Sequence, residues 1–377
     1  MAAVVVAARR RPGRGADRNL GRHRPDQNHE ILCHYKERHA MTYRRRLRWT
    51  AVAMTTVLMA AGCGGRAADD EPAGDAPAAA DGSYPVTISN CGEEVTFDAA
   101  PRRVVAMDQI STESLLHLGL KDAMAGTAFR NDEIFPSVAA DYASVKVLAE
   151  MYPAKEVLLS AEPDLVVGNI DFFTYSGFPP GSNFTRDELT AKGIKSYTLQ
   201  CQGEQPDPDR MFARFAELAT IFGAQDRADQ IIGQVKESLA ATETVLAGAT
   251  PVPTFIYRSG TGPLSTFGGG GGSADGLRRA GGENIFSDKA SLPPPEVSVE
   301  SVAALNPKAI VISDEDEQAP QDKEKFLRDI LGQSDATKNG TFCITDFYAF
   351  GTPFRLARDV NVVGTCLHPD KSFPTFP

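Results

Sequence analysis

Histidine is nearly absent from most of this chain. Of six histidines in 377 residues, four lie before residue 40, leaving His117 and His368. Imidazole is the commonest general base and metal ligand near neutral pH, so acid–base chemistry and a multi-histidine zinc or manganese site have few groups to draw on. No GxSxG elbow, HExxH, EF-hand loop or CxxC occurs, which removes the short signatures of serine hydrolysis, zinc proteolysis, calcium binding and zinc ribbons. The run FGGGGGS, Phe267–Ser273, lacks the Lys-Ser/Thr of a nucleotide loop and reads as a mobile loop. Positive charge is also missing from the body. Residues 1–62 hold 13 Lys/Arg against 4 Asp/Glu, while the rest holds 26 against 45, a net −19. Nucleic acid and anionic lipid need basic patches, so neither is expected as main partner. A binding module is the expected class, with no catalytic residue and no direct metal ligand.

What is present begins with a leader. Residues 41–63, MTYRRRLRWTAVAMTTVLMAAGC, place Arg44, Arg45, Arg46 and Arg48 before a short apolar stretch. That is the order of a secretory signal, too short for a comfortable membrane span. Ala60-Ala61-Gly62-Cys63 resembles a bacterial lipobox, with Ala60 where Leu is usual. Cys63 is therefore expected to carry lipid and anchor the chain to the extracytoplasmic face of the cell membrane, with ordinary cleavage as the alternative. Met41 is a natural start, and residues 1–40 read as untranslated sequence or a disordered basic extension. The paired arginines also raise twin-arginine export, although the residues after them match that signal poorly. Residues 64–83 carry Gly, Ala, Pro and Asp before Tyr84 and read as a tether.

Of the six cysteines, Cys33 lies in the extension and Cys63 in the leader. Cys91, Cys201, Cys343 and Cys366 would then meet an oxidising space, where disulfides persist. Four cysteines allow three pairings. If the chain has two lobes, Cys91–Cys201 staples the first and Cys343–Cys366 the second; free buried thiols are the alternative.

From Tyr84 the chain alternates strand and helix patterns. VTISN and EEVTF form a hairpin around Cys91-Gly92. RRVVAMD is a strand, and STESLLHLGLKD a helix with Ser111 or Thr112 as N-cap and Gly119 as its stop. AMAGTA is a short strand. The helix Glu156–Ala161 ends before Pro163, ahead of the buried-strand run DLVVG, and TRDELTAKGIKSYTL repeats the grammar. Residues 207–248 show only helical periodicity, with Met211, Phe212, Phe215, Leu218 and Phe222 on one face and Ile231, Ile232, Val235 and Leu239 on another. The second of these helices would span roughly 30 Å, enough to cross between lobes. TFIYRSG, ADGLRRAGG, ENIF and KAIVIS then resume the α/β order. The reading is an α/β lobe over 84–206, a helical connector over 207–248 and a second lobe over 249–377.

The lobes also share an internal repeat. EVLLSAEPDLVVG from Glu156 aligns without a gap on ESVAALNPKAIVIS from Glu300, pairing Leu158 with Val302, Pro163 with Pro307 and Val166 with Ile310 at an offset of 144 residues.

The order PRRVV, TESLLHLGL, a Glu-led helix ending PDLVV, a long helix, AGGENIF and a second Glu-led helix ending NPKAIVI resembles the substrate-binding proteins of ABC importers for ferric siderophores and vitamin B12. The resemblance runs from Val86 to Phe347. It implies two α/β lobes with parallel central sheets joined by a single long helix, the class III periplasmic-binding-protein arrangement, with ligand in the cleft and little hinge motion. It further implies that Glu156 and Glu300 pair with arginines on a dimeric permease served by its ATPase. The competing reading is that each Glu merely suits the first turn of a helix. Ligands in such lobes bind beyond the carboxyl ends of parallel strands. That makes Met107, Asp108, Gln109, Phe129, Arg130, Asn169, Asp171 and Phe172 candidates in the first lobe, with Tyr152. In the second they are Tyr257, Arg258, Phe267, Asp346, Phe347, Tyr348 and Arg355. Arginine beside aromatics suits an anionic, partly apolar chelate. The expected cargo is a ferric siderophore held by a monomer. Cobalamin or haem, a surface capture receptor without a permease, and an exported enzyme are the alternatives.

The leader generates a direct test. Cys63→Ala should release the protein from the membrane fraction, and unchanged association in fractionated cells would sink the lipid assignment.

Overall fold

The chain, described here by a computed structural model, divides into two units, Met1–Ala68 and Asp69–Pro377. The described residues are 84–376 without 131, 171–183, 202–203, 205–206, 291–293, 315–317 and 347–348. The leader, Cys63 and the tether lie outside them.

The first lobe opens with the hairpin β1 (Val86–Asn90) and β2 (Glu93–Phe97). Asn90 pairs with Glu93, so the turn is Cys91-Gly92, with φ of 56° and 84°. Left-handed backbone at both positions is what a two-residue turn matched to strand twist requires. Then follow β3 (Val104–Ala106), α1 (Gln109–His117), β4 (Met124–Ala128), α2 (Ala139–Ser144), β5 (Val147–Ala149), α3 (Lys155–Ser160), β6 (Leu165–Ile170), α4 (Arg186–Thr190) and β7 (Lys195–Gln200). The five strands from β3 to β7 form a parallel sheet in the order β5-β4-β3-β6-β7. Val104, Val105, Leu165, Val166 and Val167 are wholly buried, as expected of strands covered on both faces.

The connector is two helices, α5 (Pro208–Ile221) and α6 (Gln225–Val245). The 21 residues of α6 span roughly 30 Å. The second lobe comprises β8 (Val252–Tyr257), β9 (Leu264–Ser265), α7 (Gly272–Arg279), β10 (Gly282–Asn284), β11 (Glu296–Val297), α8 (Val299–Leu305), β12 (Ala309–Asp314), α9 (Pro320–Ile330), α10 (Asp335–Asn339), β13 (Phe342–Asp346) and α11 (Pro353–Leu367). Its parallel sheet runs β10-β8-β12-β13. Disulfides join Cys91 to Cys201 and Cys343 to Cys366, with Cα separations of 5.3 and 5.9 Å.

The sequence repeat is a structural repeat. A shift of 144 residues carries Leu165–Ile170 of β6 onto Ala309–Asp314 of β12. The same shift carries Glu162, at φ 47°, onto Asn306, at φ 44°. These left-handed residues end α3 and α8 before the prolines. Beyond them the Asp164 N–H donates to the Arg103 carbonyl at 3.0 Å, and the Lys308 N–H to the Pro253 carbonyl at 2.8 Å. Each helix therefore delivers its strand beside the strand that leads its lobe's parallel sheet in sequence, β3 or β8.

One expectation is corrected at α1. The helix starts at Gln109, and its N-cap is Asp108, not Ser111 or Thr112. The Asp108 carboxylate accepts the Ser111 N–H at 2.8 Å and the Ser111 hydroxyl at 3.0 Å. Ser111 spends its hydroxyl on that carboxylate, and Thr112 donates its own to the Asp108 carbonyl at 2.8 Å. Asp108 also accepts the Asn169 N–H at 2.7 Å, tying the ends of β3 and β6 together.

The lobes share one core. A single apolar cluster includes Ile88 and Val104 in the first lobe, Phe215, Val235 and Leu239 in the connector, and Val311, Phe354 and Val360 in the second. Beside it, Arg355 of α11 meets Glu113 of α1 through two parallel bonds, Nε to Oε2 and Nη2 to Oε1, each 2.9 Å. Both side chains are wholly buried. Arg355 also donates to the Glu133 carbonyl at 2.8 Å and to Asp346 at 3.1 Å, and lies 3.5 Å from Asp132. Oε1 of Glu113 further accepts from Gln109 and from the Phe135 N–H. Nearby, His117 stacks on Phe354 with centroids 3.7 Å apart.

Two tests follow from this packing. Glu113→Gln leaves Arg355 buried with its main counter-charge removed, so equilibrium denaturation should report a loss of about 3 kcal/mol; a loss below about 1 kcal/mol would contradict the weight given to the pair. The second concerns pH. Burial raises Asp108 from 3.8 to about 6, against the opposing pull of the N–H groups of Ser111 and Asn169. A carboxyl raised on folding stabilises fully below its unfolded pKa and loses that contribution as pH climbs through about 6. The stability of wild type relative to Asp108→Asn should therefore fall by about 2 kcal/mol between pH 4 and 6.5. Burial lowers His117 to about 4, which acts in the opposite direction and cancels in the comparison. A flat difference across that window would refute the assignment.

Candidate functional site

The carboxyl ends of the two parallel sheets and the start of α5 enclose a cavity of about 280 Å³. The first lobe contributes Asn169, at the end of β6, and Leu199 and Gln200, at the end of β7. From α5 come Arg210, Met211, Arg214 and Phe215, and from the second lobe Arg258, Phe267, Phe350 and the chain from Gly270 to Ser273.

Three arginines and three phenylalanines give this space its character. Arg258 lies 4.7 Å above the ring centre of Phe267, which holds the cation over the negative face of the ring. Its backbone is fixed from both sides: the N–H donates to Ser265 at 3.0 Å, and the carbonyl accepts the buried Lys323 ammonium at 3.0 Å. Arg210 pairs with Glu204 at 3.2 Å, and Arg214 with Glu217 at 2.8 Å. Glu204 also lines the cavity, so the acidic lining among the described residues is Glu204 and Asp207. Gly270, Gly271 and Gly272 lead into α7, so the first turn of that helix opens on the cavity. Backbone N–H groups there favour negative charge.

Of the residues expected at the ligand, Asn169, Arg258 and Phe267 line the cavity. Met107 is buried among Tyr152 and Leu158, and Asp108 is the helix cap already described. Gln109 is wholly buried and bonded to Glu113 and the Glu133 carbonyl. Tyr257 is wholly buried in the second-lobe core, its hydroxyl on the Gly260 carbonyl. Arg355 is enclosed by acids from both lobes and joins them instead of facing the cavity. Asp346 is committed to Arg355 and Arg358. Phe129 packs on Tyr152 at 4.8 Å, and Arg130 is exposed beside them. Asp171, Phe172, Phe347 and Tyr348 lie outside the described residues.

The glycine run reaches the cleft, as expected of a loop at its mouth, while its first half is packed against other backbone. Its second half lines the cavity, but Gly269 donates to the Lys289 carbonyl at 2.9 Å, and Asn284 donates to the carbonyls of Phe267 and Gly268. A Cβ on either Gly268 or Gly269 would overlap backbone of 287–290. Glycine is needed there for close packing of two chain segments. The arginines of α5 are the residues the sequence reading missed. The apolar stripe of that helix marks it as core, and Arg210 and Arg214, four apart on its flank, are the signal of its second face.

Glu156 and Glu300 are both exposed, in the first turns of α3 and α8. The Glu300 carboxyl is held below the usual carboxylate range by its own N–H and by Ser298.

Residues 104–349 match the model of a family described as periplasmic binding protein. A vitamin B12-binding protein of Photorhabdus laumondii is 28% identical over 221 residues, covering 58% of this chain and 74% of that one. One from Yersinia pestis is 26% identical over 220 residues, covering 57% and 70%. Among solved structures, a periplasmic binding protein from Veillonella parvula superposes with a TM-score of 0.63 at 26% identity, covering 75% of this chain and 97% of that one. An Fe3+-hydroxamate transport system protein from Saccharomonospora viridis gives 0.59 at 22% identity, covering 76% and 99%, a likeness of fold alone. The chain belongs to the periplasmic binding protein family, as a non-enzymatic substrate-binding protein of its Fe/B12 branch.

Proposed function

We propose that this protein captures an anionic ferric chelate of the siderophore type in the cleft between its lobes and hands it to an ABC permease, with Cys63 as its lipid anchor. Binding proteins of the family deliver substrate to such permeases. The observation that carries the cargo class is the convergence of Arg210, Arg214 and Arg258 on one cavity with Phe215, Phe267 and Phe350. Guanidinium forks suit carboxylate or catecholate oxygens, and the rings suit the apolar arms of a chelator. Glu156 and Glu300 are the docking points in this reading. Equivalent acids on two related lobes suit a two-fold symmetric basic partner, and charged contacts of that kind steer encounter and fix register.

The test has two arms. Purified protein is titrated, by tyrosine fluorescence, with iron(III) citrate, an iron(III) tris(catecholate), a neutral ferric hydroxamate, haemin and cyanocobalamin. Saturable binding of an anionic ferric chelate without turnover is expected, and Arg258→Gln should weaken it about tenfold or more. Preference for haemin or cyanocobalamin would overturn the cargo class. The double reversal Glu156→Arg/Glu300→Arg should leave that affinity nearly unchanged while uptake of labelled chelate by cells collapses. Affinity that falls in step with uptake would put both glutamates in the cleft or the fold.

A further inference from the structure

The β1–β2 hairpin stands outside the five-stranded sheet as a sheet of its own, yet its tip is fastened to the wall of the cleft. Asn90, wholly buried, donates to the Thr198 carbonyl and accepts the Thr198 N–H, both at 2.9 Å. Arg186 donates to Asn90 at 3.2 Å and to the Thr198 hydroxyl at 2.7 Å. One residue beyond Asn90, the disulfide joins Cys91 to Cys201, which directly follows the cavity-lining pair Leu199 and Gln200. Arg214 closes the circuit. Its side chain is 15% exposed. One end of its guanidinium donates to the Ser89 carbonyl at 3.2 Å and to Glu217 at 2.8 Å. The other end donates to the Cys201 sulfur at 3.5 Å and lies 3.6 Å from Glu204.

We propose that the Cys91–Cys201 disulfide positions Arg214 in the cleft and thereby sets the affinity for an anionic cargo. This rests on reading the cleft as an anionic-chelate site. A guanidinium recognises an anion through a planar fork, so its orientation decides the strength of the contact. Two of the four groups that orient Arg214, the Ser89 carbonyl and the Cys201 sulfur, sit on the two chain segments that the disulfide joins. Without the covalent link, the Asn90, Thr198 and Arg186 bonds still seat the hairpin, so the lobe keeps its fold. The Cys201 sulfur and the Ser89 carbonyl are then no longer held together, and Arg214, left with Glu217 on its own helix as its fixed partner, loses its set orientation toward the cargo. The second disulfide supplies a matched control, because neither Cys343 nor Cys366 adjoins a cavity-lining residue.

The experiment compares wild type with Cys91→Ala/Cys201→Ala, Cys343→Ala/Cys366→Ala, Arg214→Gln and the triple variant Cys91→Ala/Cys201→Ala/Arg214→Gln. Each is titrated with iron(III) citrate and an iron(III) tris(catecholate). Independently of any cargo, the rate of Arg214 modification by phenylglyoxal is read by peptide mass spectrometry. Loss of the first disulfide should weaken chelate binding about tenfold and speed Arg214 labelling several-fold, while loss of the second leaves both unchanged. Because the disulfide acts through Arg214, the triple variant should bind no more weakly than Arg214→Gln alone. Additive losses would mean that the disulfide supports the lobe in general, and overturn the proposal. Unchanged labelling, or wild-type affinity in Cys91→Ala/Cys201→Ala, would overturn it too. Wild-type protein that binds neither chelate would instead overturn the reading of the cleft, and this inference with it.

Discussion

A guanidinium and a carboxylate with no exposure to water are strongly unfavourable unless each is satisfied where it lies. Arg355 and Glu113 meet that condition through two parallel bonds, with the Glu133 carbonyl, Asp346, Gln109 and the Phe135 N–H completing the shell. The two residues are 242 positions apart in sequence and belong to different lobes. Separating the lobes would leave Arg355 only Asp346 of these partners, and Glu113 only the donors Gln109 and the Phe135 N–H, with no counter-charge. The continuous apolar cluster through α5, α6 and α11 opposes the same motion. The relative placement of the sheets is therefore set by groups buried away from the cleft, and the cleft takes its shape from them.

That constraint explains where the cavity-lining residues come from. The residues at the end of β3 are consumed by the fold: Asp108 caps α1, and Gln109 joins the interlobe network. The free edge of α5 runs past the same opening with Arg210 and Arg214 on it. A connector that also lines the cavity needs one face for the core and a flank for the opening. Phe212 and Leu218 are buried on the first, and the arginines occupy the second.

The fold was largely legible in the sequence because its signals are local and repeated. The buried runs at β3, β6 and β12, the glycine stop after α1 and the Glu-led helices at an offset of 144 residues each follow from neighbours in the chain. The site was less legible, for a physical reason. An arginine after a strand can face the cleft, as Arg258 does, or be enclosed by acids arriving from another lobe, as Arg355 is. Asp346, nine residues before Arg355, is the one local sign of enclosure. Glu113, 242 residues away, is brought to Arg355 by the tertiary fold alone. The same holds for Asp108, whose neighbour Asn169 arrives from a strand 61 residues away.

The buried pair also bears on docking. If Glu156 and Glu300 contact a permease, the partner reads the distance between them as well as their charge, because both must engage together. Each glutamate is set within its own lobe by a short helix whose following strand pairs with β3 or β8, so neither can adjust far on its own. Their separation is then inherited from the contact between lobes, which is to say from Arg355, Glu113 and the shared core. A rigid spacing lowers the conformational cost of two-point engagement. On that condition, residues that touch neither cargo nor permease govern how well the two glutamates would match a partner.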